Sequence, residues 1–284
     1  MANICVVHLV RAKNGIQPFR NFLESYLKYD SGVDHDLLII FKGFIGTNGT
    51  GQYTQLLKDI SFKAIHMHDF GFDIRSFFLA VNKINKKYFC FLNSFSTIQG
   101  REWLSQLNRN LTQNGIGLVG ATGSYESHYS NFLIEQKSIG FAKTQLARRL
   151  FHFFAKMKYK YYFDPFPNYH IRTNGFMISR DLMRKIHPGI ILSKMAAYRF
   201  ESGKRSLTKQ ILQMNLNVLI VGKNGDGYKK EDWCRSDTFR QGDQDNLLIA
   251  DNQTSTYLHA APELKRKLSE SAWGEGIYGS SGRK

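Results

Sequence analysis

The stretch YFCFLNSFS, residues 88–96, sets five apolar residues directly before a short polar segment. Five consecutive apolar residues bounded by polar ones are typical of a strand buried inside a sheet. The polar segment holds Asn93, Ser94 and Ser96, whose amide and hydroxyl groups are neutral. The sequence therefore predicts a buried strand that ends in hydrogen-bonding side chains and carries no carboxylate at its tip.

Short apolar runs alternate with amphipathic stretches on the amino-terminal side of this strand. The alternation is typical of βα units, which build a mostly parallel sheet with helices on its faces. Strands are predicted at residues 4–10, 36–41, 63–68 and 88–92, and helices at residues 19–29, 52–60 and 74–84, the last capped by Asp73. The predicted fold class is α/β, with a mostly parallel central sheet flanked by helices.

The pattern continues beyond the strand as far as residue 222 and then changes. Helices are predicted at residues 101–111, 181–186, 205–214 and 262–272, and strands at residues 115–119 and 217–221. Residues 170–179 are polar at first and then strand-like. From residue 223 the chain is rich in glycine and polar residues. We expect one large domain at residues 1–222, with halves at 1–120 and 121–222, and a loop-rich C-terminal cap or lid at 223–284 that ends in a flexible tail.

Composition limits the classes of protein that need to be considered. A chain of 284 residues with 42% hydrophobic content can bury one large α/β core. It has no apolar run of membrane-spanning length and no basic leader, so we expect a cytoplasmic protein. Cys5, Cys90 and Cys234 are odd in number and lack zinc spacing, which indicates reduced thiols.

The formal net charge of +16 predicts an anionic partner. Nucleic acid, anionic lipid and pyrophosphate-containing substrates all fit this charge. The sequence has neither paired zinc ligands nor an aromatic RNA-recognition motif, which argues against nucleic acid.

Basic and aromatic residues alternate at residues 143–163, which include Lys143, Arg148, Arg149, Lys156, Lys158 and Lys160. A helix of this composition can lie on an anionic membrane with its aromatic side chains among the headgroups, which would place the protein at the inner face of the cell membrane. It can equally pack an aromatic face on the core and leave its charges solvated. Both interpretations stay open on the sequence alone.

The order of the elements resembles the nucleotide-binding half of GT-A glycosyltransferases, in particular the inverting enzymes of family two. The resemblance rests on the strand and helix order up to residue 92, the polar tip, the helix with Trp103 and the strand at residues 115–119. It covers roughly residues 1–222, with the nucleotide-binding half at 1–120 and the acceptor half at 121–222. It implies a GT-A-like fold and a transferase that uses a nucleotide sugar and a glycan or lipid-linked acceptor in bacterial surface glycan synthesis.

Members of that family carry a metal-binding Asp-x-Asp at the strand tip, where this chain has Asn93, Ser94 and Ser96. Neutral oxygens are far weaker ligands for Mg²⁺ or Mn²⁺ than two carboxylates. Either the enzyme works without a metal and uses cationic side chains, or the site has lost catalysis. The tip is also explained by an ordinary strand-to-helix turn.

We expect no cofactor. A divalent metal is compatible with the fold class but is not expected. His66 and His68 beside Asp69 lack further ligands for a metal.

The resemblance implies that the donor is bound at the ends of the first strands and around the tip. The candidate donor-binding residues are His8, Arg11, Lys42, Asp69, Asp73, Arg75, Asn93, Ser94 and Ser96. Arg11, Lys42 and Arg75, together with Arg172, are the candidate cations for the diphosphate.

Glu201 resembles the acidic residue that opens a helix in this family and acts as the general base on the acceptor hydroxyl. An inverting displacement needs one such base. The family usually has Glu-Asp at this point and this chain has Glu-Ser, which leaves open which carboxylate acts. A glutamate favoured by the dipole at a helix start is the plain structural explanation.

The acceptor and the donor pyrophosphate are expected to meet loop residues of the second half and the cap. Aromatic rings beside hydrogen-bonding side chains suit the faces and hydroxyls of a sugar. The candidates are Tyr125, Glu126, His170, Arg172, Thr173, Asn174, Trp233, Arg235 and Gln244.

Two other classes of function stay open. A non-catalytic GT-A-like module that binds glycan or nucleotide sugar would explain the missing aspartates. A basic nucleic-acid-binding protein would explain the charge.

Overall fold

The computed structural model describes residues 2–45, 48–138 and 146–275, and of the side chains of residues 48, 137, 138 and 146–149 nothing is described. The strands are β1 (Ile4–Arg11), β2 (His35–Lys42), β3 (Phe62–Met67), β4 (Tyr88–Leu92), β5 (Thr97–Ile98), β6 (Ile116–Gly120), β7 (Gly123–Ser124), β8 (His170–Ile171), β9 (Phe176–Ser179), β10 (Asn217–Val221), β11 (Gly227–Tyr228) and β12 (Ile249–Ala250). The helices are α1 (Gln17–Lys28), α2 (Gly51–Leu56), α3 (Phe72–Lys83), α4 (Trp103–Leu111), α5 (His128–Ser138), α6 (Leu146–Tyr162), α7 (Arg180–Lys185), α8 (Lys194–Ser202), α9 (Leu207–Gln213), α10 (Asn252–Leu258) and α11 (Pro262–Trp273).

Eight strands form one central sheet in the order β11-β10-β6-β9-β4-β1-β2-β3. The pairs among β3, β2, β1 and β4 are parallel, and so is the pair of β6 and β10. Strand β9 runs antiparallel to both of its neighbours, β4 and β6. The predicted α/β fold with a mostly parallel sheet is confirmed. The reversed direction of β9 was not predicted, because the residues of a strand do not reveal the direction of its neighbours.

Strand β4 is buried on both faces. Phe89 and Phe91 belong to the apolar cluster that includes residues of α3, α8 and α9, whereas Cys90 and Leu92 belong to the cluster that includes residues of α1 and α4. Successive side chains of a strand point to opposite faces, so an unbroken apolar run is what a strand between two helix layers requires. Polar chemistry is thereby restricted to the ends of the strand.

Most predicted elements are present, with ends that differ by a few residues. Helix α2 ends at Leu56, earlier than expected, because the next residues form tight turns in which the amide of Leu57 donates to the carbonyl of Thr54. Helix α3 begins at Phe72, and its N-cap is Gly71 in the left-handed conformation. The expectation that Asp73 caps this helix is therefore wrong, since Asp73 lies inside the first turn.

The residues after 222 pack on the same sheet. Strand β11 pairs with β10, and β12 pairs with β5. The indole of Trp273 is buried and donates to the carbonyl of Phe239, while the amide of Tyr125 donates to the carbonyl of Ala272. The domain boundary at 222 stays a prediction. Within the described part of the chain, no helix is both long and apolar enough to cross a membrane.

His8 lies in the core, although the sequence placed it among the donor-binding candidates. It is in the middle of β1, fully buried, and its ring stacks on Phe22 with the centroids 3.7 Å apart. Burial lowers the pKa of His8 from 6.5 to about 3, because the charged imidazole would lose its hydration.

The lowered pKa of His8 predicts that the folded protein loses stability in acid. Unfolding lets this imidazole take up a proton between about pH 6.5 and pH 3, so its contribution to stability is lost as the pH falls through that range. Between pH 7 and pH 4.5 we expect the wild type to lose roughly 2.5 kcal/mol of stability through this group, a loss that His8→Leu does not show. Urea unfolding at the two pH values measures it. The exposed His68→Leu is the control, and an equal pH slope in both variants would contradict the assignment.

Candidate functional site

A polar cavity of about 340 Å³ lies beyond the carboxyl end of β4. Ligands of open α/β sheets bind outside the carboxyl ends of the strands, where helices begin and loops converge. Eight residues predicted from the sequence line it: Asp73, Asn93, Glu126, His170, Arg172, Thr173, Asn174 and Glu201. Nine further lining residues were not among the predictions: Ser124, His128, Tyr198, Ser202, Phe239, Arg240, Asp251, Asn252 and Gln253.

A second hollow, of about 580 Å³, lies at the amino-terminal ends of β1 and β4. Its lining includes Asp34, His35 and Tyr88, and none of the residues predicted to bind a ligand. We therefore place the candidate site in the smaller cavity, where acidic, basic and imidazole side chains converge.

The polar tip after β4 is held by the segment between β8 and β9. The side-chain oxygen of Asn174 accepts from the amide of Asn93 at 3.1 Å and from the hydroxyl of Ser96. Ser94 and Ser96 are buried, so Asn93 is the tip residue that lines the cavity. The tip thus fixes Asn174, whose own amide nitrogen is buried without a partner among the described residues.

The tip after β4 is a poor ligand set for Mg²⁺ or Mn²⁺. These ions prefer carboxylate oxygens, and the tip offers an amide and two hydroxyls that are buried or bonded to Asn174. Across residues 2–45, 48–138 and 146–275, no three His, Cys, Asp or Glu side chains are grouped so that they could hold a metal ion. We therefore derive no chemical step through a metal.

Glu201 lies in the last turn of α8, and the expectation that it opens a helix is wrong. Ser193 caps the start of this helix by accepting from the amide of Ala196. The helix ends at Ser202 because the chain turns at Gly203, where a Cβ atom would stand 2.5 Å from the carbonyl oxygen of Arg199. This ending directs Glu201 into the cavity.

The carboxyl group of Glu201 titrates near neutral pH. Burial raises its pKa from 4.5 to about 7, and the neighbouring Asp73 adds to the rise. The hydroxyl of Thr173 donates to Oε1 at 3.2 Å, and with Arg172 and Lys194 it partly offsets the effect of burial. A carboxylate with this pKa can accept a proton at physiological pH and is the strongest candidate for a general base.

Asp73 faces the cavity from the first turn of α3, and its position depends on Lys42. The ammonium of the buried Lys42 donates to the carbonyl of Phe72, which has a positive φ of 51°. Backbone in this conformation persists where the surroundings hold it. Burial lowers the pKa of Lys42 to about 8 and raises that of Asp73. Lys42 therefore positions the helix start and does not line the cavity.

Arg172 and Asp251 form the most buried ion pair at the site, at 2.8 Å. The other oxygen of Asp251 caps α10 by accepting from the amides of Gln253 and Thr254. Arg172 also stacks on the ring of Phe239 at 4.2 Å. The cap segment thus supplies an anion and an aromatic surface that hold a cation at the cavity wall.

Arg240 and Glu126 form a second, longer pair at 3.5 Å. The guanidinium of Arg240 also lies 4.8 Å from the centroid of the Phe239 ring and donates to the side-chain oxygen of Gln253. Two arginines from different segments therefore face one cavity.

His170 and His128 are neutral members of the wall. Burial lowers the pKa of His170 to about 4, and its Nδ1 donates to the carbonyl of Asn168 at 2.8 Å, which leaves Nε2 unprotonated. Burial also lowers the pKa of His128, whose ring lies 4.4 Å from Tyr198. Both rings can hydrogen-bond a hydroxyl without adding charge.

Several predicted residues lie outside the cavity lining. Arg11 pairs with Asp69 at 2.6 Å at the end of β1, and Arg75 is exposed with its guanidinium over the ring of Phe70. Neither cation is placed to meet the cavity wall directly. Their role in donor binding stays a prediction.

The predicted aromatic residues mostly build the wall from behind. Trp233 is fully buried and Tyr125 nearly so, with their rings stacked, and Tyr125 donates to the carbonyl of Lys230. Gln244 is buried and accepts from the amide of Arg240, whereas Arg235 is exposed. In the cap segment, the ring that reaches the cavity is Phe239, which is not among the predicted site residues.

The sequence matches no protein-family model and no curated protein. Among solved structures it is similar to the mannosyltransferase PcManGT from Pyrobaculum calidifontis in complex with GDP-Man and Mn2+, with 9% identity and a TM-score of 0.48 over 76% of this chain and 54% of that one. It is also similar to core-mannan synthase A from Aspergillus fumigatus in its Mn/GDP form, with 10% identity and a TM-score of 0.37 over 70% and 63%. TarS 1-349 of S. aureus in complex with UDP-GlcNAc gives 13% identity and a TM-score of 0.34 over 41% and 33%.

The matched part of this chain spans between a third and two thirds of each of those proteins. Because every TM-score is below 0.5, these likenesses carry no argument about the reaction of this chain. The function is argued from the cavity.

The raised pKa of Glu201 predicts that a variant without this carboxyl group gains stability relative to the wild type as the pH rises. The folded state holds the proton of Glu201 up to about pH 7, whereas the unfolded state releases it near pH 4.5, so this group lowers stability as the pH rises through that interval. We expect Glu201→Gln to be more stable than the wild type at pH 8. The difference in the free energy of unfolding between the variant and the wild type should change by roughly 2 kcal/mol in favour of the variant between pH 5 and pH 8. Thermal and urea unfolding at both pH values measure this, with the exposed Glu24→Gln as control. A pH-independent effect would contradict the raised pKa.

Asp251 both pairs with Arg172 and caps α10, so two substitutions of this residue are expected to differ in their loss of stability. In Asp251→Asn the side-chain oxygen can still cap α10, but Arg172 loses its counter-charge, and we expect a destabilisation of roughly 3 kcal/mol. In Asp251→Ala the cap is lost as well, which adds about 1 kcal/mol. Urea unfolding measures both, and the exposed Asp59→Asn is the control. Equal stability of Asp251→Asn and the wild type would show that the pair is not formed in solution.

Proposed function

We propose that this protein is a glycosyltransferase that moves a sugar from a nucleotide-activated donor to a saccharide or lipid-linked acceptor with inversion at the anomeric carbon. The observation that carries the proposal is Glu201: a carboxyl group with a pKa of about 7 in a polar cavity at the carboxyl ends of the strands. The mixture of carboxyl, guanidinium and aromatic groups in the cavity suits a sugar joined to a diphosphate.

Glu201 is the proposed base. The acceptor hydroxyl oxygen attacks the anomeric carbon and forms the new glycosidic bond, and the carboxylate of Glu201 takes the hydroxyl proton. The bond between the anomeric carbon and the phosphate oxygen breaks, its electron pair stays on that oxygen, and the nucleoside diphosphate leaves. Thr173 orients the base through its hydrogen bond to Oε1.

Arg172 and Arg240 are the proposed stabilisers of the leaving diphosphate. They come from different segments and face one cavity, so they can contact separate phosphoryl groups. Each is already close to a carboxylate, Asp251 or Glu126. Those carboxylates hold the two guanidinium groups in place before a donor arrives. Because the tip after β4 offers no carboxylate to a divalent ion, we propose that the reaction is metal-independent.

The neutral groups of the wall are proposed to recognise the sugar and the acceptor through hydrogen bonds. Asn93 can hydrogen-bond a hydroxyl, and so can the amide nitrogen of Asn174, which has no partner within the described part of the chain. His170 offers an unprotonated nitrogen. Phe239 supplies a ring beside these groups. The role in bacterial surface glycan synthesis is part of the same proposal.

A non-catalytic module that binds a nucleotide sugar is the second candidate. The observation that favours it is that both cavity arginines are next to carboxylates, which reduces the positive charge available to a leaving group. Binding without turnover would distinguish this module from an enzyme.

The proposal predicts turnover that survives chelation and depends on Glu201. Thermal shifts with a panel of nucleotide sugars that includes GDP-Man and UDP-GlcNAc identify the donor, because a ligand of the folded state raises the midpoint. With that donor, we expect transfer or donor hydrolysis to persist in EDTA and kcat/KM to rise about tenfold per pH unit up to about pH 7. Glu201→Gln is expected to lose roughly 10²–10⁴-fold in kcat with its thermal shift by the donor retained.

The controls separate the candidate functions. Glu24→Gln on α1 should keep full activity. A thermal shift with no turnover supports the binding module, activity abolished by EDTA and restored by Mn²⁺ contradicts metal independence, and no shift with any donor contradicts both proposals.

A further inference from the structure

Helix α6 carries an apolar stripe that faces away from the protein. The stripe consists of Leu150, Phe154, Met157 and Tyr161, whose spacing of four, three and four residues puts them on one face of a helix. Their exposed fractions are 50%, 66%, 49% and 73%. Phe151 and Phe153 widen the stripe and are exposed as well.

The opposite face of α6 makes the contacts with the rest of the fold. Tyr159 stacks on Phe132 of α5 at 4.8 Å, and Phe163, directly after the helix, is fully buried against His128 at 5.0 Å. His152, Ala155 and Tyr162 fall on the same side and are partly buried. Packing therefore explains one aromatic face of α6 and leaves the stripe unexplained.

Lysines border the stripe on both sides. At 100° per residue, Lys158 lies on one flank and Lys156 and Lys160 lie on the other. All three are exposed, and α6 contains no acidic residue. Large apolar side chains with lysines along both edges match the interface between lipid headgroups and acyl chains, where the rings enter the bilayer and the ammonium groups meet lipid phosphates.

The charges beside the apolar stripe distinguish between the partners that could bind to it. A second copy of the chain would bring the same lysines against each other, and like charges across an interface are repulsive. Nucleic acid would engage the lysines but offers nothing to Leu150 and Met157. We propose that α6 docks this protein on an anionic membrane surface through the stripe and the lysines beside it.

The end of α6 is tied to the elements of the candidate site. The ammonium of Lys204 donates to the carbonyl of Lys160 at 2.9 Å, and Arg199 of α8 lies 4.0 Å from the ring of Tyr162. Phe163 contacts His128, which in turn contacts Tyr198 of α8, and both of these line the cavity. Docking would hold the cavity close to the bilayer. Delivery of a lipid-linked acceptor from the membrane rests on the proposed function, but docking itself does not.

Vesicle co-sedimentation of the full-length protein tests the docking. We expect binding to vesicles of phosphatidylglycerol and phosphatidylcholine that weakens with salt, and little binding to phosphatidylcholine alone. The triple variant Phe154→Gln, Met157→Gln, Tyr161→Gln and the triple variant Lys156→Glu, Lys158→Glu, Lys160→Glu should each bind at least tenfold more weakly. Each lysine near an anionic surface is worth roughly a fivefold change in affinity, which makes the second estimate conservative.

Matched variants control for apolar area and for charge. Leu27, Leu258 and Leu264 are exposed on other helices, and Lys28, Lys58 and Lys83 are exposed lysines elsewhere. Changing these to Gln or to Glu, respectively, should leave the stripe-dependent part of vesicle binding intact. Circular dichroism confirms that every variant is folded.

Several outcomes would overturn the docking proposal. They are the absence of vesicle binding by the wild type, equal losses in the stripe and control variants, and a dimer that the stripe variant dissociates while vesicle binding is absent. Salt-dependent RNA binding lost with the lysines, without vesicle binding, would overturn it as well. Vesicle binding needs no donor or turnover, so failure of transfer activity leaves this test unaffected.

Discussion

Burial of β4 on both faces is the constraint on which the rest of the structure depends. Its side chains alternate between two apolar clusters, so neither face of the strand can hold a polar group without losing hydration. Hydrogen bonds to β1 and β9 fix its position in the sheet. The chain can present polar side chains only where the strand ends. There, the hydrogen bonds that Asn174 accepts from Asn93 and Ser96 join the tip to the segment that carries Arg172 and Thr173.

The same loss of hydration sets the chemistry of the cavity. It raises the pKa of Glu201 to about 7 and lowers that of His170 to about 4, so that a base and a neutral imidazole coexist in one wall. An ion pair with Asp251 holds the guanidinium of Arg172 in the same wall. Loss of hydration lowers the stability of the folded state and also gives Glu201 its capacity for proton transfer at neutral pH, a combination that is common at functional sites.

Much of the architecture could be predicted from local pattern, and part of the cavity could not. The strands and helices of the first half follow hydrophobic periodicity. Arg172 and Thr173 were candidates because they lie in a polar segment before a strand-like one, and Glu201 because its segment resembles that of the general base of a known family. Asp251 was missed as a site residue because its partner is 79 residues away in the chain. Arg11 and Arg75 carry suitable charge, but their neighbours Asp69 and Phe70 hold them outside the lining.

The sequence by itself determined the α/β class, the buried strand at residues 88–92 and the neutral tip that follows it, because period and polarity are properties of neighbouring residues. The tertiary structure alone decided that the tip binds Asn174, that Glu201 ends a helix instead of starting one, and that Phe239 rather than Trp233 reaches the cavity. It also showed that α6 has two aromatic faces, one packed and one exposed. These outcomes depend on contacts between segments distant in the chain, and on the loss of water that such contacts bring.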